Sequence, residues 1–209
     1  MNLKDKKILI LGLGISGVST VKALDRLGAR ITISDVKTED ELKEYIDQIR
    51  DIDVKYVLGT NDVSVENIDL IVKSPGVPSD LKVFKDANLK GIQVVTDLEL
   101  AYRINPNGNI IAITGTNGKT TTTTLTGEYF TKAGYNTYVM GNIGVGVLWN
   151  MVNSKAKDIF VIEASSFQLH NTFTFKPKIS LILNITPDHL NWHKTLENYI
   201  DSKKKIFIN

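Results

Sequence analysis

Between Ile110 and Thr121 the chain passes from an apolar, β-branched run into Gly115-Thr-Asn-Gly-Lys-Thr120, and few folds accommodate that change. It reads as strand, phosphate-binding loop and helix. Glycines at 115 and 118 let backbone amides turn inward on an anion, the helix adds its positive N-terminal end, and Lys119 adds a full charge. The spacing is tighter than G-x-x-x-x-G-K-[ST], which would need glycine where Ile113 stands. What survives is a lysine for the β- and γ-phosphates and the Thr120 hydroxyl for Mg²⁺. A capped helix without ligand is the plain alternative.

Composition removes other classes. Lys and Arg number 25 against 23 Asp and Glu, so no field of one sign draws nucleic acid or an anionic membrane, and anions must be caught locally. There is no cysteine for a disulfide or thiolate metal site, and no run of about 18 apolar residues to span a bilayer. Ile8 to Leu11 is too short for a signal sequence, so the cytoplasm is expected.

The 209 residues suit one large or two small domains. Ile8 to Leu11 reads as a buried strand running into Gly12-Leu-Gly-Ile-Ser-Gly17 and a helix to about Leu27. A second strand, Arg30 to Ser34, ends in Asp35, near the ribose-binding acid of a dinucleotide fold. NAD is the first reading, although any nucleoside diphosphate can use such a turn, and a glycine turn can bind nothing. Strands at 54–58 and 68–72, helices at 39–49 and 81–89 and a closing strand at 93–95 follow. Ser74-Pro-Gly-Val-Pro78 is a rigid loop at a strand's C-terminal end, either a ligand edge or a plain crossover. The alternation predicts a Rossmann-like, doubly wound parallel sheet over 1–94. A linker over 95–108 carries Asn105-Pro-Asn-Gly-Asn109, and 109–209 forms part of a P-loop mononucleotide-binding α/β domain.

In that second unit a helix spans Thr121 to Ala133 and a strand Asn136 to Met140, which leads into Gly141-Asn-Ile-Gly144. The strand Ile159 to Ile162 ends on Glu163, where nucleotide hydrolases hold a second Mg²⁺ contact. Ile179 to Leu183 delivers Asn184-Ile-Thr-Pro-Asp-His189, with Asp188 and His189 able to ligate metal or position phosphate. Leu196 to the end reads as helix, and its Lys203-Lys-Lys205 as a solvated face.

The glycine turns, Gly141-Asn-Ile-Gly144, Glu163-Ala-Ser-Ser-Phe-Gln-Leu169 and Asn184-Ile-Thr-Pro-Asp-His189, in this order, resemble the Mur ligases of peptidoglycan synthesis across the whole chain. The Ser-Ser-Phe-Gln-Leu run resembles best the member that joins D-glutamate to UDP-N-acetylmuramoyl-L-alanine. The resemblance implies an ATP-dependent carboxylate–amine ligase in which ATP phosphorylates the L-alanyl carboxylate and the D-glutamate amine then displaces phosphate. By the same resemblance Gly115, Thr116, Asn117, Gly118, Lys119, Thr120 and Thr121 bind ATP. Thr120, Glu163, His189 and Lys203 hold magnesium, Lys203 as a carbamate picked out by Tyr199 four residues before it. Lys119, His189 and Lys203 are the catalytic set. Asn142, Ser165 and Gln168 orient the muramoyl-alanine end, while Ile15, Ser16, Asp35 and Lys37 hold the uridine diphosphate end in place of NAD.

The resemblance further implies a third domain beyond Asn209, so a monomeric fragment that binds but ligates poorly is expected. Rival readings are another Mur or folylpolyglutamate-type ligase, an NAD(P)-dependent oxidoreductase on the Gly12 turn, and a non-catalytic nucleotide-binding module.

Overall fold

A computed structural model describes residues 1–60, 62–78 and 80–208. The chain divides into two compact units, Met1–Asp97 and Leu98–Asn209. The first unit alternates strand and helix: β1 (Lys7–Leu11), α1 (Ile15–Arg26), β2 (Arg30–Asp35), α2 (Glu39–Ile46), β3 (Val54–Leu58), β4 (Leu70–Lys73), α3 (Lys82–Leu89) and β5 (Gln93–Thr96). Its strands pair in parallel in the order β3-β2-β1-β4-β5. The near-continuous apolar runs of β1 and β4 are buried because helices cover a parallel sheet on both faces. This is the doubly wound α/β arrangement that the strand-helix alternation predicts.

The helix α4 (Asp97–Ile104) leads to the second unit's β6 (Asn109–Thr114), α5 (Lys119–Lys132), β7 (Thr137–Gly141), α6 (Val147–Val152), β8 (Ile159–Glu163), α7 (Ser166–His170), β9 (Ile179–Ile182), α8 (Leu190–His193) and α9 (Leu196–Ile208). Four parallel strands stand in the order β7-β8-β6-β9. Register places Glu163 level with both Ile113 and Gly141, and Thr114 level with Ile182. The strand ends at 114, 141, 163 and 182 therefore share one edge.

Several sequence expectations change. The strand predicted from residue 68 starts at Leu70, and the helix predicted to 49 ends at Ile46. The short helices α6, α7 and α8 carry no periodic signal of their own. The expectation that the final helix runs to Asn209 reaches one residue outside the described chain. The lysine run at 203–205 is not one solvated face: Lys203 is 1% exposed, while Lys204 is exposed. Tyr199, Ser202, Lys203 and Ile206 form a buried stripe at helical spacing, and Lys203 lies within it.

Among the described residues no helix is long and apolar enough to cross a membrane.

Candidate functional site

In the first unit, Gly12 holds φ at +91°, and a Cβ there would come within 2.9 Å of Ser74 Cβ. Ser74 Oγ donates to Gly12 O at 2.9 Å, fastening the Ser74-Pro75 loop to the turn. At Gly17 a Cβ would stand 2.6 Å from Gly12 O, so this glycine lets α1 start against the turn. Gly14 differs: a Cβ there meets nothing within 4 Å. Protein packing does not demand that glycine, whereas close approach of a diphosphate does. Asp35 Oδ2 accepts from Leu13 N at 2.7 Å and Oδ1 from Lys37 N at 2.9 Å. Its carboxylate thus shapes the turn while each oxygen keeps a lone pair for a ligand hydroxyl or N–H. Ile15 is 60% exposed at the rim, and Ser16 spends its carbonyl on the Thr20 hydroxyl. A cavity of about 710 Å³ in the same unit is lined by Lys7, Arg30, Lys55 and Asp62. It lies at the N-terminal ends of the strands, away from the turn, and offers mixed charges with no convergent donor set.

In the second unit, Gly118 N-caps α5 with φ +81°. The first helical bond runs from Thr122 N to Gly118 O, which leaves the amides of Lys119, Thr120 and Thr121 without intrahelical acceptors. Lys119 Nζ lies across its own loop, donating to Gly115 O at 3.0 Å and Thr116 O at 2.9 Å. Thr120 Oγ1 donates to Glu163 Oε2 at 2.8 Å, and Asn142 Nδ2 donates to Glu163 Oε1 at 3.2 Å. Two predicted site residues, Thr120 in the first turn of α5 and Asn142 just after β7, thus meet at the Glu163 carboxylate that ends β8.

This donor set fits magnesium. The Thr120 hydroxyl and the Glu163 carboxylate, 2.8 Å apart and hydrogen-bonded, are hard oxygen donors of the kind that Mg²⁺ takes. Among the described residues no three His, Asp or Glu side chains cluster as a ready cage, and Mg²⁺ ordinarily completes its shell with phosphates and water.

Lys203 Nζ reaches beneath the loop, donating to Gly115 O at 2.7 Å and Thr114 Oγ1 at 3.3 Å. The Tyr199 ring centroid is 4.7 Å from that nitrogen. Burial first, then the neighbouring Lys119 charge, pull its amine down to about 8 from 10.5, with Asp188 acting the other way. His189 takes φ +52° at the N-terminus of α8, its Nε2 3.4 Å from Asp188 Oδ2 and its ring 4.8 Å from that of Phe167.

Three of the expected site residues also have bonding partners within the protein. The hydroxyl of Thr116, expected to contact ATP, is engaged with Thr186 and Tyr199, and its amide with Asn184. Ser165 and Gln168, expected to orient substrate, also form the capping box of α7: Gln168 Oε1 accepts from Ser165 N at 3.1 Å and Ser165 Oγ from Gln168 N at 3.2 Å.

The sequence reading missed a buried network and a brace. His193 Nε2 pairs with Ser166 Oγ at 2.9 Å, and His170 Nδ1 with Ser202 Oγ at 2.9 Å, joining α7, α8 and α9. Asn184 braces the phosphate loop. Its sequence signal, an amide side chain directly after an apolar strand and before Thr-Pro, was available but did not name its partner.

Comparison with known proteins adds to this geometry. Residues 113–209 match a family described as Mur ligase middle domain, and residues 6–96 one described as Mur ligase MurD-like, N-terminal domain. A UDP-N-acetylmuramoylalanine–D-glutamate ligase of Clostridioides difficile is 48% identical over 210 residues, 100% of this chain and 47% of that protein. The counterpart from Alkaliphilus metalliredigens is 47% identical over 212 residues, 100% of this chain and 46% of its own length. The chain thus spans about half the length of these relatives. A solved UDP-N-acetylmuramate:L-alanyl-γ-D-glutamyl-meso-diaminopimelate ligase from Neisseria meningitides shares the fold with a TM-score of 0.63 at 18% identity, covering 96% of this chain and 67% of its own. A UDP-N-acetylmuramate–alanine ligase from Thermotoga maritima gives 0.58 at 21% identity, covering 96% and 46%.

Proposed function

We propose, from the premise that this chain belongs to the Mur ligase family, that it supplies the UDP-substrate and ATP sites of a cytoplasmic, ATP-dependent UDP-N-acetylmuramoyl-L-alanine:D-glutamate ligase of peptidoglycan synthesis. One observation carries the chemistry: the Thr120 hydroxyl and the Glu163 carboxylate stand 2.8 Å apart beside the phosphate loop. Identity of 47–48% across the whole chain to ligases named for D-glutamate supports the substrate choice.

Attack by the L-alanyl carboxylate on the γ-phosphorus of ATP brings two anions together. The Lys119 ammonium and the amides at the start of α5 offset that repulsion and stabilise charge on the transferring phosphoryl group. Thr120 and Glu163, with His189 and Lys203, would hold Mg²⁺, which when bound would supply further charge neutralisation. The carboxylate oxygen forms a bond to phosphorus as the bond to ADP breaks. The D-glutamate amine then adds to the acyl carbon, phosphate leaves, and the amine proton passes to solvent. The Asp35 turn holds uridine diphosphate, and Asn142, close to Glu163, faces the end that reacts. A carbamate on Lys203 requires its neutral amine, and burial favours that form.

Within these 209 residues the reading is binding without efficient ligation. Calorimetry should show ATP·Mg²⁺ and UDP-N-acetylmuramoyl-L-alanine each binding this chain, with NAD⁺ not competing for the latter. D-glutamate-dependent release of ADP at the rate of an intact ligase would contradict the binding-only reading. NAD⁺ binding in place of the UDP compound would replace the ligase reading with an oxidoreductase.

A further inference from the structure

The hydrogen bonds of Thr116 and Asn117 leave little for a phosphate. Asn184 Oδ1 accepts from Thr116 N at 3.1 Å and Asn117 N at 2.9 Å, and its Nδ2 donates to Asn117 O at 3.0 Å, while the Asn184 main-chain carbonyl shares the Thr116 amide, also at 3.1 Å. Two consecutive amides converging on one oxygen is how a phosphate oxygen would be gripped, and here a side-chain carbonyl fills that place. The Thr116 hydroxyl is committed too. It donates to Thr186 O at 3.1 Å and accepts from Thr186 N at 3.0 Å. Its one proton being used, the 3.0 Å contact with Tyr199 is donated by the phenol. The Thr116 carbonyl accepts from Lys119.

We propose that Asn184 is a positioning residue of the phosphate loop and that Thr116 is its latch, not an ATP ligand. By holding Thr116 and Asn117 to the end of β9, the Asn184 amide aims the free amides of Lys119, Thr120 and Thr121 at the phosphates. The Thr116 hydroxyl, through Thr186 and Tyr199, also ties the loop to α9, which carries Lys203. A neutral amide suits this place because it satisfies donors without opposing a polyanion, as a carboxylate there would. This rests on the reading of the loop as an ATP site.

The test uses the 209-residue chain with ATP·Mg²⁺ and, separately, inorganic tripolyphosphate. Asn184→Ala should weaken both at least tenfold, speed hydrogen exchange at the Asn117 amide while the Thr116 amide keeps the main-chain carbonyl of residue 184, and leave the thermal midpoint nearly unchanged. Asn184→Asp, the isosteric variant, should restore protection of the Asn117 amide yet bind tripolyphosphate weakly, the more so at low salt. Restored protection with lost anion binding separates positioning from mere support of the fold. Binding by Asn184→Ala within twofold of the unaltered chain, or tighter than it, would overturn the proposal; tighter binding would make Asn184 a competitor for the loop. An unaltered chain that binds neither probe would instead sink the ATP reading, and the proposal with it.

Discussion

The Gly12 turn and the Gly115 loop both follow an interior strand of a parallel sheet, and both have their amides capped by a side chain from a neighbouring strand's C-terminal end. The caps differ in charge. Asp35 places a carboxylate on the Leu13 amide, whereas Asn184 places a neutral amide on Thr116 and Asn117. Beneath the second loop lie two lysines, Lys119 and Lys203, both bonded to Gly115 O. The first turn therefore suits a ligand that brings hydroxyl and N–H donors as well as phosphate, as a nucleoside diphosphate does. The second suits a polyphosphate with its metal. On the proposed reading, the same backbone device is tuned to different anions by what caps it.

The largest expected effect breaks one side alone. Lys119→Ala should weaken ATP·Mg²⁺ binding about 30- to 100-fold, the value of a charge-assisted phosphate contact, while UDP binding at the Gly12 turn is unchanged by calorimetry. Loss of both would show that the two sites are not separable.

The glycines sharpen the comparison next. Gly17→Ala forces a Cβ to within 2.6 Å of Gly12 O and should cost about 1–3 kcal/mol in urea unfolding of the first unit. Gly14→Ala meets no neighbour, so its unfolding midpoint should hold while UDP affinity falls about tenfold, an affinity loss of about 1.4 kcal/mol. A Gly14→Ala chain that binds UDP normally would remove the diphosphate from this turn.

Much of this was legible in the sequence, and the failures have physical reasons. The strands could be read because β-branched runs bounded by glycine seldom fit anything else. The lysine run alone suggests solvent for residues 203–205, whereas Tyr199, Lys203 and Ile206 stand at helical spacing and the family resemblance singles out Lys203. Helices α7 and α8, of five and four residues, are too short to show a period and are held by the Ser165 cap and ring contacts around Phe167. Asn184 could be seen as a loop residue, but a bond spanning 67 positions to Asn117 cannot be read from local pattern.

Smaller effects test the charge argument. Asp35→Asn should raise the affinity of the first turn for inorganic diphosphate about threefold by removing one repelling charge, while lowering its affinity for UDP through loss of an acceptor. Unchanged diphosphate binding would mean that cap charge does not tune the turn.

Buried lysines offer the smallest test. Lys73 is 1% exposed at the end of β4, with its amine drawn down to about 8 from 10.5 by burial. The folded chain thus binds this proton more weakly than the unfolded chain, so stability should rise as pH climbs from about 8 to 10.5, with the full penalty present below 8. Lys203 acts in the same direction in the second unit. Lys73→Met should flatten that rise for the first unit and lift its thermal midpoint at pH 7, by only about 2 °C because the contact with Phe84 changes as well.

The central claim, two glycine turns for two different nucleotides, is met most directly by amide chemical-shift mapping of the ¹⁵N-labelled chain titrated with UDP and then with ATP·Mg²⁺. The account predicts UDP shifts centred on Gly12–Gly17, Asp35 and Lys37, and ATP shifts centred on Gly118–Thr121 and Glu163. Both nucleotides perturbing the same turn, or neither perturbing residues 118–121, would contradict it.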